Sequence, residues 1–268
     1  MQGQREQVAV LLLSKPDFNI YAFKYILLTL NKHQKHYEFV FPDIEYGKPV
    51  FSGAQYTTAE LLKGFEEVKN QIRCDSEPSY WINIICSRME DNDFACWEGT
   101  TSFITTYSWD KIYSPPSVFE YLIHSTLISL LCLHPQLGKL LVDTHWDTRG
   151  CCFDYTRDKK DNKVDVSLGY VCDECRTAIT SMDPELMAEI DHILSRAWIG
   201  KIDTFDSVAY NLKCFFRFDI NRDSGFNKTW LDKVKDYVSD IPKAVVVALV
   251  SVLLGVLGTL LTSYLLRQ

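Results

Sequence analysis

The feature that most limits what this chain can become is its end. Residues 244–266 run for 23 positions without a side chain charged at neutral pH, rich in Val and Leu, between Lys243 and Arg267. At about 1.5 Å per residue a helix of that length reaches about 34 Å, enough to cross a hydrocarbon core of about 30 Å. A soluble helix keeps a polar stripe for water, and no residue here supplies a charged one. The stretch reads as a single C-terminal transmembrane helix. Within it Ala244, Ala248, Ser251, Gly255, Gly258 and Thr262 follow one another at alternating steps of four and three. In lipid, helices associate where small residues let backbones approach, and a 3.5-residue repeat winds copies left-handed. The expectation is a homo-oligomer, a tetramer being one form it can take, with this seam as packing line or pore lining.

What precedes the tail has the character of a packed domain, since 47% of the chain is hydrophobic and 13% aromatic. A net charge of −7 argues against a broad nucleic-acid-binding surface. The start is polar, and residues 8–13 give only six apolar positions before Ser14-Lys15-Pro16-Asp17. That is no signal peptide, so the expected arrangement is a single-pass protein of the inner (plasma) membrane with its N-terminal domain in the cytoplasm. In that reducing compartment nine cysteines suggest metal ligation and free thiols rather than disulfides.

Hydrophobic patterning predicts strands over 7–13, 37–41, 80–86, 94–97 and 101–109, with helices over 18–30, 57–72 and 118–133. Thr57-Thr-Ala-Glu60 is a capping box, and Asp183-Pro184 opens a further helix closed by Gly200. A shorter helix is expected over 205–214. This order implies an α/β layered domain over 1–180 that includes a zinc-binding segment, 145–175. A helical extension over 181–226, a juxtamembrane stretch over 227–243 and the membrane helix follow.

The strongest chemical signal is Cys172-Asp-Glu-Cys175. Two thiolates at this spacing on a tight turn grip one Zn²⁺ at about 2.3 Å each but leave two corners of the tetrahedron unfilled. His145 and Cys151 are the best placed to fill them, giving H-x5-C-x20-C-x2-C, with Gly150 letting the backbone bend. Cys152 is an alternative to Cys151, and a redox dithiol is the competing chemistry of the pair. His33, His36, His134 and His192 have no partner that spacing makes compelling, and the first two read as solvent-facing. The run Asp219-Ile-Asn221-Arg-Asp223 starts like a calcium loop but has Ser224 and Trp230 where Gly and Glu are required, so it reads as a turn. No phosphate-binding glycine loop, G-x-S-x-G or H-E-x-x-H occurs.

The order of elements, together with Cys151-Cys-Phe-Asp-Tyr155 and Cys172-Asp-Glu-Cys175, resembles the zincin metalloproteases and more narrowly the archaemetzincins. The resemblance implies a zincin-like fold and a structural Zn²⁺ held by the cysteine segment. It also marks a departure. Where the family has H-E-x-x-H on its long helix, this chain has His124, then Ser125, with Ile128 at the second histidine position. One imidazole without a base cannot hold a catalytic zinc, so the resemblance implies a proteolytically dead relative.

A dead enzyme-like domain on a self-packing tail is similar in architecture to bacterial anti-phage membrane effectors, the Hailong type among them. That resemblance implies a domain that senses a nucleotide, or a protein from a neighbouring defence component, and gates an ion-conducting or membrane-disrupting bundle. Two readings compete with it. One is a membrane-tethered hydrolase using Glu120 and His124, four apart on one helix face. The other is a plain tail-anchored scaffold.

Overall fold

The computed structural model describes residues 5–42, 49–74, 76–109, 114–142, 145, 149–155 and 159–226. The expected membrane helix lies outside these residues, and with it the whole seam: Ala244, Ala248, Ser251, Gly255, Gly258 and Thr262. No helix among the described residues is long and apolar enough to cross a membrane. The described residues belong to one unit, Met1–Phe226.

Its centre is a five-stranded sheet. In chain order the strands and helices are β1 (Glu6–Leu12), α1 (Ile20–Leu30), β2 (Tyr37–Val40), β3 (Gln55–Tyr56), α2 (Thr58–Lys69), β4 (Tyr80–Ile85), β5 (Arg88–Met89), β6 (Ala95–Glu98), β7 (Thr101–Thr105) and α3 (Val118–Leu133). Five more helices complete the unit: α4 (Leu137–Val142), α5 (Lys159–Leu168), α6 (Asp173–Met182), α7 (Pro184–Ser195) and α8 (Val208–Phe216). The sheet order is β2-β1-β4-β7-β6, and β3 pairs with β5 in a separate ribbon. The first four strands are parallel, with Val8 opposite Tyr80 and Trp81 opposite Thr101. β6 closes the edge antiparallel to β7 through the two-residue loop after Glu98, where Gly99 takes a φ of 59°.

The strands are apolar at successive positions because both faces of the sheet are covered. Val8, Val10, Ile82, Ile84 and Ile104 share one core with Phe23 and Ile26 of α1 and Phe119 and Leu122 of α3. The alternate residues Ala9, Leu11, Trp81 and Phe103 share the other with Leu61 and Phe65 of α2. The result is an α/β layered fold with a mixed sheet. Phe23 stacks on Phe119 with ring centroids 6.2 Å apart, while Phe65 meets Trp81 edge-on at 5.4 Å. Each such side chain stabilises the fold by about 1.5–3 kcal/mol on full burial.

Helix ends follow local chemistry. Thr57 and Glu60 form the expected capping box on α2, and Ser117 with Glu120 forms a second on α3. Asp183 caps α7 with Pro184 at its first position. That helix stops at Ser195, earlier than Gly200, because Arg196 turns left-handed at φ 58° and a short 3₁₀ turn, Ala197–Ile199, intervenes before the glycine. β7 likewise stops at Thr105 rather than running to Trp109, whose ring stacks on Tyr121 at 4.0 Å. Residues 219–226 form the expected turn: Asp219 and Asp223 spend carboxylate oxygens on backbone N–H groups of Asn221 and Asp219. The turn seats Gly225 against Val118, where an added Cβ would come within 2.6 Å of the valine.

Candidate metal centre

Three segments meet at one buried cluster. The first is His145. The second is the turn Gly150–Tyr155, in which the Asp154 amide donates to Cys151 O at 2.9 Å and Gly150 adopts a φ of 77°. The third is the start of α6. Backbone hydrogen bonds lace them together: Tyr155 N donates to His145 O at 2.9 Å and Cys152 N to Tyr170 O at 2.8 Å.

The sequence suggested a tight turn for Cys172-Asp-Glu-Cys175. The structure instead makes Cys172 the N-cap of α6 and Cys175 the third residue of its first turn. N-cap and N3 side chains both project over the open end of a helix, which brings the two sulfurs to one place. The unpaired N–H groups there carry partial positive charge, which favours thiolates.

The structure brings together His145, Cys151, Cys172 and Cys175, with one donor atom from each lying within 4.8 Å of the others. His145 Nε2 stands 3.0 Å from Cys175 Sγ and 3.3 Å from Cys172 Sγ. Ligands at about 2.0–2.3 Å around a tetrahedral zinc stand about 3.5–3.8 Å apart, so small adjustments suffice. All four residues are buried, the most accessible being Cys172 at 8%. Three soft thiolates and an imidazole select zinc over hard cations. This buried cluster is able to bind zinc. Cys152 is not part of it: its side chain joins the hydrophobic core, and burial pushes its thiol well above the ordinary range.

A hydrogen bond from Cys175 pulls the Cys151 thiol down to about 6, with backbone N–H groups of Cys172 and Phe153 assisting against burial. The same hydrogen bond, with burial and the neighbouring sulfurs, pushes Cys175 up. Ligation would require both as thiolates, since ligating thiols are deprotonated.

Two carboxylates beside the cluster escaped notice in the sequence. Asp154 Oδ2 accepts the backbone N–H of Arg149 and, at 3.0 Å, that of Cys151. Its Oδ1 faces His145 Nδ1 at 3.9 Å. Asp165 is almost wholly buried in α5, and its carboxyl is pushed up to about 7, first by burial and then by Asp154, Asp161 and Cys151. The only signal in the sequence was the position of Asp154, three residues past Cys151.

The other predicted residues sit elsewhere. Glu120 Oε2 accepts from the backbone N–H and hydroxyl of Ser117, and Oε1 accepts from Arg196. His124 is buried, with its Nδ1 unpaired, and burial together with the Arg196 charge lowers it to about 3. One is fully engaged and the other is held neutral. His36, read from the sequence as solvent-facing, is clamped by α7: Nδ1 lies 2.7 Å from Glu189 and Nε2 3.0 Å from Asp183. Burial works to lower its pKa, but the hydrogen bonds and charges of those carboxylates outweigh it and the net shift is upward. His33 packs against Trp198 at 5.5 Å and His192 at 5.9 Å, and His134 Nδ1 accepts from the backbone N–H groups of Gln136 and Leu137 where α4 begins. These four histidines line one cleft between α7 and the loop after α1.

No known family model matches the chain, and no curated protein matches it in sequence. Among solved structures it is similar to an archaemetzincin from Methanopyrus kandleri, with 12% identity and a TM-score of 0.43 over 73% of this chain and 99% of that one.

Proposed function

We propose that this chain is a zinc-stabilised α/β domain carried on a C-terminal membrane helix, acting as a membrane effector rather than a metallohydrolase. One observation supports its first half: four buried protein donors, His145, Cys151, Cys172 and Cys175, lie within 4.8 Å of one another, enough to supply every corner of a tetrahedron. Catalytic zinc keeps a position for water or substrate, whereas structural zinc takes four protein ligands. Among the described residues no second group of three or more His, Cys, Asp or Glu brings one ligand atom from each within 4.8 Å of the others. Glu120 and His124 offer a hydrolase nothing, because the first is occupied by Ser117 and Arg196 and the second is buried.

The membrane half of the reading rests on the apolar 244–266 stretch and its seam of small residues. In this proposal the soluble domain receives a nucleotide or protein signal, as in an anti-phage effector. Copies of the tail then move against one another to open a conducting path. The test combines three measurements on the full chain: zinc content, mass in detergent and membrane potential of cells expressing it. One zinc per chain, an oligomer and depolarisation on triggering are expected. A zinc-free monomer that leaves the membrane polarised under every trigger would overturn the reading. A scaffold would keep its activity when an unrelated membrane helix replaces 244–266.

A further inference from the structure

We propose that Asp154 is the positioning residue that makes His145 a metal ligand. The inference rests on the zinc reading and adds the group that sets the tautomer of its only imidazole. A neutral imidazole offers one nitrogen with a proton and one without, and only the second can ligate. Here Nε2 lies 3.0 Å from Cys175 Sγ and 3.3 Å from Cys172 Sγ, so for Nε2 to ligate a metal held by those sulfurs Nδ1 must carry the proton.

Asp154 is the carboxylate next to that nitrogen. Its Oδ1 is 3.9 Å from His145 Nδ1, and both side chains are fully buried at 0% exposure. Neither atom has any other hydrogen-bond partner. Two buried, unpaired atoms of complementary chemistry that face each other are costly unless they meet. Closure by about 1 Å as the ring swings onto a metal would bring them to hydrogen-bonding distance. The carboxylate is fixed for the purpose, because its other oxygen is held by the backbone N–H groups of Arg149 and Cys151. Turn and tautomer are therefore set by the same side chain, through opposite oxygens.

These two roles can be separated. Asp154→Asn keeps a carbonyl oxygen for the two backbone N–H groups but turns an NH₂ toward Nδ1. A donor there favours the tautomer with its proton on Nε2, which cannot ligate. In full-length, zinc-loaded protein labelled with ¹⁵N-histidine, the ring shifts of His145 should show a protonated Nδ1 and a metal-bound Nε2. Competition between a chelator and the Asp154→Asn protein should show about 10- to 100-fold weaker zinc binding. In a His145→Ala background the same substitution should change affinity by less than about twofold, because the ring it acts on is gone.

Zinc bound through Nδ1, or an unchanged affinity and tautomer in Asp154→Asn, overturns the assignment. An equal loss in the His145→Ala background also overturns it, since that outcome reduces Asp154 to a brace for the turn. If wild-type protein binds no zinc at all, the zinc reading itself has failed. The wild-type ring measurement remains decisive even where a variant does not fold.

Discussion

Stripping the metal should loosen the whole described unit and not only the loops that touch it. The ligands are embedded in the core: Cys151, Cys172 and Cys175 belong to the same buried cluster as Phe119 and Leu122 of α3 and Ile190 of α7. With free zinc held about a thousandfold above its dissociation constant, binding to the folded state alone adds about 4 kcal/mol. For a unit of this size each kcal/mol moves the melting temperature by about 2–4 °C, so removal should lower it by about 8–16 °C. Cys175→Ser, which keeps the volume of the side chain but removes the soft ligand, should melt near the stripped value and respond little to added zinc. The assay is thermal unfolding followed by near-ultraviolet circular dichroism, with and without chelator, then with zinc restored. A midpoint that stays within about 2 °C through stripping and reloading would refute the claim that a metal couples these segments to the core.

Other outcomes follow from the same geometry. Arg196→Met should destabilise by about 2–3 kcal/mol in urea unfolding, because it leaves Oε1 of the Glu120 carboxylate and the carbonyls of Val166 and Ser167 without the Arg196 donor. Phe103→Ala should cost about 3–5 kcal/mol by the same assay, since the ring is fully buried between Phe51 and Phe65 at 6.1 and 6.2 Å. Two histidines act in opposite directions on stability against pH. His124 stays neutral in the fold down to about 3, while the unfolded chain takes up its proton near 6.5, so stability should fall on acidification between those values and His124→Leu should flatten that limb. His36 is raised above 6.5 in the fold, so its contribution is complete below 6.5 and is lost as pH rises through the folded value; His36→Gln should remove that alkaline loss. Replacing both Gly255 and Gly258 by Leu should reduce the detergent mass to one chain, and an unchanged mass would rule out the seam.

The parts of this protein that were legible in its sequence depend on residues within about four positions of one another. The Thr57–Glu60 cap, the Asp183-Pro184 start and the apolar strands are such features, set by local hydrogen bonds and side-chain period. The Cys172–Cys175 pair was legible as a ligand motif for the same reason. α5 was not, because Val164, Val166 and Leu168 recur at steps of two among polar residues, the spacing of a strand rather than a helix. α6 was missed because Cys175 and Ile179 are its only buried residues, one turn apart, too short a stripe to announce itself. The sequence alone thus determined the strands and the helices with a long apolar face or a cap, the Cys172–Cys175 ligand pair, and the apolar character of 244–266. Only the tertiary structure decided the strand order β2-β1-β4-β7-β6, the choice of Cys151 over Cys152, the clamp of His36 by Asp183 and Glu189, and the meeting of His145 with Asp154. Those pairings join groups whose separation along the chain carries no geometric information until the layers pack and fix which side chains face each other.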